Sequence, residues 1–340
     1  YKVYLMAVIG TNFKRAGRLL TGGKLVAIPT ETVYGLAANA LDEYAVEQIF
    51  VTKGRPHYNP LIIHIGAKKD LKKYVTEVPK MAQRLIDAFW PGPLTLLLPK
   101  KDVVPNIITA SLPRVAVRMP DHPLTLQLLQ LLDFPLAAPS ANPFCYISPT
   151  KAAHVQQQIG EKIPYILDGG LCEQGLESTI VGFEEGIPVV YRLGAITPEA
   201  IEAVAGQIKM HQKSAEQPVG PGMLPYHYSP RTPLYFTDQV EELLQEADLA
   251  KTGIISFRNE VAGVPLEHQV VLSRSGDMQE AASKLYDTLH YLDSLELDCI
   301  IAEKLPEYGL GLTINERLKK AAGKTTTLAA QESMLEEHSW

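Results

Sequence analysis

Cysteine is scarce in this chain. Three cysteines in 340 residues, Cys145, Cys172 and Cys299, lie far apart and form no Cys-x-x-Cys pair, which excludes a disulfide framework and a cysteine-based zinc site. That usage fits a reducing compartment, so the expected location is cytoplasmic. No run approaches the roughly 18 apolar residues of a membrane helix. Positive charge is not in excess either: 32 Lys and Arg against 38 Asp and Glu give a formal charge of −6. The chain as a whole is therefore not a basic nucleic-acid coat, although a local basic site is compatible with that balance. The common short motifs are also missing. Gly17 to Lys24 offers Gly-x4-Gly but continues as Gly23-Lys24-Leu25, where a phosphate-binding P-loop needs Ser or Thr. Gly309 and Gly311 lack the third glycine of a dinucleotide fingerprint, and no HExxH, nucleophile elbow or EF-hand loop occurs.

What is present is globular: 46% hydrophobic and 21% charged residues, over a length that suggests two domains. In the first 200 or so residues, short β-branched runs alternate with amphipathic stretches. Strands are expected at 25–29, 61–65, 94–98, 115–118, 136–138, 163–167, 178–181 and 189–192. Helices are expected at 43–52, 79–89, 123–132, 150–158 and 198–205, the last capped by Thr197 with Pro198 in its first turn. The irregular order predicts a twisted mixed sheet. From 207 to 233 the pattern dissolves into Lys, Gln, Pro and Gly, a linker with Pro-fixed dihedrals. Its Tyr226, His227 and Tyr228 are unusual for a spacer, so the linker reads either as a tether or as a lid over an active site. Beyond it, strands at 234–236, 253–257, 269–272 and 299–302 alternate with helices at 239–247, 277–292 and 315–322, predicting a small Rossmann-like parallel α/β domain. The expected division is a catalytic domain at 1–206, the linker at 207–233 and a second domain at 234–340.

Polar clusters sit just past several predicted strands, where α/β proteins place ligands. Pro29-Thr30-Glu31-Thr32-Val33-Tyr34-Gly35-Leu36 runs from a strand into three hydrogen-bonding side chains and a glycine. Lys53-Gly54-Arg55 is either a helix C-terminus complementing its dipole or a phosphate clamp that sets a point charge beside a planar fork. Arg114 and Arg118 bracket a short strand, and Ala138-Pro139-Ser140-Ala141-Asn142 combines small residues with neutral donors. Glu177-Ser178-Thr179 and Arg192 complete the set. His64, in an apolar strand, reads either as a core histidine or as a ligand. Cys145 has no local base and reads as a bystander.

The order and spacing of these clusters resemble the YrdC-like family, in its long form: the L-threonylcarbamoyladenylate synthases with a C-terminal extension. The resemblance rests on Pro-Thr-Glu-Thr-Val-Tyr-Gly-Leu at 29–36, Lys-Gly-Arg at 53–55, Trp-Pro-Gly-Pro-Leu-Thr at 90–95 and Val-Arg-Met-Pro at 117–120. Ala-Pro-Ser-Ala-Asn at 138–142, Glu-Ser-Thr-Ile at 177–180, Arg-Leu-Gly at 192–194 and the linker's Pro-Gly-Met and His-Tyr-Ser-Pro extend it over nearly the whole chain.

The resemblance implies a YrdC-like first domain and a reaction that joins L-threonine, bicarbonate or CO2, and ATP into threonylcarbamoyl-AMP with release of pyrophosphate. It implies Mg2+ arriving with ATP, and no protein metal site. Lys53, Arg55, Ser140 and Asn142 match the family's signature and are the expected catalytic group. Thr32, His64, Arg118, Ala138 and Ser178 would form the L-threonine pocket. Lys53, Arg55, Asn59, Arg114, Ser140, Ser148, Arg192 and Tyr228 would hold ATP, although Arg114 replaces the small hydroxyl residue expected there. The expected partners are a downstream threonylcarbamoyl transferase that consumes the product for tRNA N6-threonylcarbamoyladenosine formation, and a weak tRNA contact. The alternatives are a tRNA or double-stranded RNA binding module, which the negative charge disfavours, and the carbamoyl-transfer domain of hydrogenase maturation, which belongs to larger chains.

Overall fold

The computed structural model describes residues 6–211 and 227–323, which form two compact units: 6–144 with 148–211, and 145–147 with 227–323. In the first unit the strands are β1 (Val8–Gly10), β2 (Val26–Ile28), β3 (Gly35–Asn39), β4 (Ile62–His64), β5 (Leu94–Pro99), β6 (Arg114–Arg118), β7 (Leu136–Ala137), β8 (Tyr165–Leu167), β9 (Thr179–Glu184), β10 (Ile187–Arg192) and β11 (Lys209–Met210). They hydrogen-bond in the order β1-β8-β2-β3-β7-β4-β6-β5-β9-β10-β11. Parallel and antiparallel neighbours mix, as the irregular sequence order predicts.

Alternation along the strands builds a core on each face of this sheet. Leu25 and Ala27 join the larger cluster with Val46, Ile49 and Phe50 of helix Glu43–Lys53. Val26 and Ile28 face the other way, onto Ala16, Leu20 and Leu128 of helices Phe13–Thr21 and Pro123–Leu131. Every strand expected in this unit is present. Three others escape the pattern: β1, the two-residue β11, and β3, whose Gly-Leu-Ala-Ala-Asn is poor in β-formers. β3 is a strand because tertiary pairing with β2 and β7 overrides that propensity. The amphipathic helix Phe13–Thr21, capped by Asn12 accepting from the Arg15 N–H at 3.0 Å, is likewise absent from the sequence reading.

The second unit holds a parallel sheet of β12 (Leu234–Thr237), β13 (Thr252–Ser256), β14 (Gln269–Val271) and β15 (Cys299–Glu303), in the order β12-β15-β13-β14. Its long helix, Met278–Asp293, is capped by Asp277 and overlaps the helix expected at 277–292. The last described helix runs Leu310–Ala322, five residues longer at its start than expected. Within it the side-chain amide of Asn315, the residue where the helix was expected to start, is buried and exchanges hydrogen bonds with both backbone groups of Leu305, at 2.9 and 2.7 Å. The helix expected at 239–247 is one short segment, Val240–Leu244, with no buried residue.

Candidate active site

Strand register gathers one group of polar residues at a single edge of the first sheet. His64 ends β4 and Arg118 ends β6, and the two are direct partners; Arg118 also pairs with Thr95 at the start of β5. Thr95 in turn aligns with Ile180, as does Arg192 at the end of β10. The side chains then close the set. Arg118 Nη1 donates to Thr32 Oγ1 at 2.9 Å, its Nε to the Gly92 carbonyl at 3.3 Å, and its Nη2 lies 2.6 Å from Glu31 Oε1. Thr95 and Ser178 share a hydroxyl hydrogen bond at 2.7 Å, and Arg192 Nη2 donates to the Ser178 carbonyl at 2.6 Å and its hydroxyl at 3.1 Å.

These groups are buried, yet some of their polar atoms lack hydrogen-bond partners. Glu31 is 6% exposed; its Oε1 pairs with Arg118 Nη2, while its other carboxylate oxygen, Oε2, has no hydrogen-bond partner. His64 Nδ1 is buried and unsatisfied too. Burial, reinforced by the Arg118 charge, pushes the His64 pKa down to about 3, so the imidazole is neutral at physiological pH. Cys172 belongs to the same neighbourhood, with burial and the Glu31 charge both raising its thiol pKa. Buried groups without partners are uncommon in folded proteins, and their convergence on one spot marks a place built for a polar ligand.

A second group surrounds the end of helix Glu43–Lys53. This helix is started by Asp42, which accepts from the Tyr44 and Ala45 N–H groups, and ends at Gly54 in the left-handed region (φ 63°). That turn sends Lys53 and Arg55 inward, 4% and 6% exposed. Lys53 Nζ donates to the Ser140 carbonyl at 2.6 Å and to that of Asn142. Arg55 donates to the Asn59 side-chain oxygen at 2.7 Å and to the Asn59 and Pro60 carbonyls at 3.1 and 2.8 Å. Both cations thus hold the loops carrying the neutral signature residues, and a carbonyl dipole holds a cation without discharging it. Ser140 bridges to Gly35, where a side chain's Cβ would lie 3.1 Å from that of Ala138, so glycine permits the close approach. Ala138 itself donates its N–H to the Ile62 carbonyl at 3.2 Å.

Ser148 is fully buried and donates to Glu177 at 2.9 Å, one residue before Ser178. Of the other expected nucleotide residues, Arg114 stands apart from these groups and Tyr228 belongs to the second unit. Arg114 lies at the opposite end of β6 from Arg118, its guanidinium 5.2 Å over the Tyr191 ring and donating to the Tyr191 hydroxyl at 3.1 Å. Tyr228 is buried in the second unit, 5.6 Å from the ring of Tyr286 and 5.0 Å from the Arg317 guanidinium carbon. Most of the expected lid, 212–226, including Pro221-Gly222-Met223 and Tyr226, lies outside the described residues. Sequence reasoning gave no role to Glu31, Thr95 or Glu177, although all three lie inside quoted motifs. Thr95 closes the Trp-Pro-Gly-Pro-Leu-Thr string, whose first four residues read in sequence as packing and turn chemistry; Trp90 is buried and donates to the Leu94 carbonyl at 2.7 Å, and the Gly92 carbonyl also orients Arg118.

A twisted mixed α/β sheet with a buried, cation-rich polar edge, followed by a small parallel α/β unit, defines a ligand-binding protein of YrdC-like architecture. The family model described as "telomere recombination", covering Sua5, YciO and YrdC, matches residues 18–194. The model of the threonylcarbamoyl-AMP synthase C-terminal domain matches 196–323. The chain belongs to this family, in the form that carries the Sua5 C-terminal domain. It is 42% identical to the threonylcarbamoyl-AMP synthase of Pyrococcus abyssi over 322 residues, covering 91% of this chain and 93% of that one. It is 41% identical to the Bacillus subtilis enzyme of the same name over 319 residues, covering 91% and 92%. The crystal structure of P. abyssi Sua5 complexed with L-threonine superposes with a TM-score of 0.86 at 40% identity, covering 95% of this chain and 98% of that one.

Proposed function

We infer that this protein synthesises L-threonylcarbamoyl-AMP from L-threonine, bicarbonate or CO2, and ATP, releasing pyrophosphate, for N6-threonylcarbamoyladenosine modification of tRNA. The observation that carries this reading is the Glu31–Arg118 pair, a buried cation and anion side by side with one carboxylate oxygen unsatisfied, in a chain similar along nine-tenths of its length to synthases of that name. An amino acid is a zwitterion. Its carboxylate fits the planar guanidinium of Arg118 and its ammonium fits the Glu31 carboxylate, while Thr32, His64, Ser178 and the Ala138 backbone line the side-chain end. The neutral imidazole of His64 adds no charge to compete with this pairing.

Carbamate formation needs threonine's amine uncharged, and Glu31 is placed to take the ammonium proton. The amine nitrogen then bonds to the carbon of CO2, and the proton it sheds leaves through Glu31 to solvent. A carbamate oxygen attacks the α-phosphorus, the bond to the bridging oxygen breaks, and pyrophosphate departs with the electron pair. No side-chain nucleophile is required; the protein's part is to position two anions and to stabilise the third as it forms. Lys53, Arg55 and Arg192 supply the positive field, with Asn59, Ser140, Asn142 and Ser148 as neutral donors. Mg2+, where ATP brings it, would neutralise part of the phosphate charge beside Lys53 and Arg55. The labile product passes to a transferase that acts on tRNA.

Pyrophosphate release tests the reading. It should require L-threonine, bicarbonate and ATP together, and release independent of threonine or bicarbonate would reject it.

A further inference from the structure

We propose that the second unit carries a ligand site of its own, for a small organic oligocation of the linear polyamine class. A cavity of about 610 Å³ opens at the carboxyl ends of β12, β13 and β15, the place where parallel α/β sheets receive ligands. Ser256, the last residue of β13, is 3% exposed, and its hydroxyl has no hydrogen-bond partner. Ile254, two residues earlier and on the same face of the strand, lines the cavity with it, so the orphaned hydroxyl is directed there.

The chemistry of the walls selects the ligand. Asp238, Glu241 and Glu242 stand on one rim, and no cation among the described residues pairs with them. Glu303, at the end of β15, faces them across the cavity; one of its oxygens accepts the Phe257 N–H at 2.6 Å. Glu260, also on the wall, is held by Arg274, and the Arg258 guanidinium lies over the Phe257 ring. The balance is anionic, which excludes the phosphate ligands common at such strand ends, and no glycine-rich loop offers them backbone donors. A bare divalent ion does not match either, because these acids form no metal-holding group. Val240, Leu244 and Val261 supply apolar surface between the carboxylates. Ammonium groups separated by methylene spacers match that alternation, with the Ser256 hydroxyl accepting from a buried terminal ammonium.

The test is calorimetric titration of the full chain with spermidine at about 0.15 M salt, the ionic strength at which diffuse surface attraction is largely screened. One saturable site per chain is expected, undisturbed by Mg2+ at matched ionic strength. Ser256→Val keeps a strand-forming side chain and removes the hydroxyl; the double change Glu241→Gln, Glu242→Gln alters only exposed side chains. Each should weaken binding by about tenfold or more, the effect of losing a hydrogen bond or contact to a charged group. Absence of saturable binding, competition by Mg2+, or unchanged affinity in the glutamine variant overturns the proposal. None of these readings depends on the activity of the first unit, so failure here leaves the synthase reading intact.

Discussion

Arg118 shows how much chemistry one side chain can concentrate. Its guanidinium reaches Thr32, Gly92 and Glu31 at once, which fixes the fork in the plane where a carboxylate would meet it. A lysine cannot reproduce that fork, so Arg118→Lys should raise the threonine KM by roughly 10- to 100-fold, the effect of losing a hydrogen bond to a charged group, and the ATP KM far less. Equal changes in both constants would place this residue elsewhere. His64 gives a prediction in pH. Its folded pKa lies near 3, below the ordinary 6.5, so the unfolded chain binds an extra proton between those values. Stability is complete above about pH 6.5 and falls as pH drops towards 3, by up to about 1.4 kcal/mol per pH unit from this group. Denaturant midpoints measured from pH 7 to pH 4 should show that slope, and His64→Gln should flatten it. These roles were only partly legible in the sequence. Arg118 stands out because two arginines bracket a strand, but nothing in its motif tells that it lies at the buried polar edge while Arg114 lies at the other end. That distinction comes from the antiparallel register with β5, which sets Arg118 opposite Thr95 and Arg114 opposite Pro99.

At the scale of elements, loops are held against strand ends by backbone contacts. Gly194, just after β10, sits where a Cβ would come within 2.4 Å of the Glu177 carbonyl and the Thr179 nitrogen. Gly194→Ala therefore displaces Ser178 and should destabilise the fold by about 1 to 3 kcal/mol, as overpacking does, with a rise in threonine KM. Thermal melts read beside threonine titrations check both halves. The end of helix Glu43–Lys53 is the other such junction, because Lys53 and Arg55 hold the 140–142 and 59–60 loops while projecting positive charge. Lys53→Ala or Arg55→Ala should raise the barrier by about 2 to 4 kcal/mol, as removal of one preorganised donor does, seen as slower pyrophosphate release from folded protein. The helix expected at 43–52 starts at Glu43 as read and ends one residue later, at Lys53 before Gly54, while its Asp42 cap was not read from the sequence. β3 was not legible, because alanine and glycine carry no strand signal and only its two neighbours make it one.

Over the whole molecule, the negative formal charge and the local positive site are compatible because the cations are buried at one sheet edge while surplus acids lie elsewhere, several of them around the second unit's cavity. No helix among the described residues is long and apolar enough to cross a membrane. The loss of pattern after Gly206 is the sequence signal for a second domain; the described residues form two compact units, and no local sequence signal marks the inclusion of 145–147 in the second. The central claim is that the Glu31–Arg118 edge receives threonine for carbamoylation and adenylation. Its most direct test is to incubate the protein with L-threonine, ATP and isotopically labelled bicarbonate, and to quench and analyse the adenylate by mass spectrometry. The wild-type protein should yield threonylcarbamoyl-AMP carrying the label, and folded Arg118→Ala should yield little. An adenylate without the label, or full product from Arg118→Ala, would contradict the account.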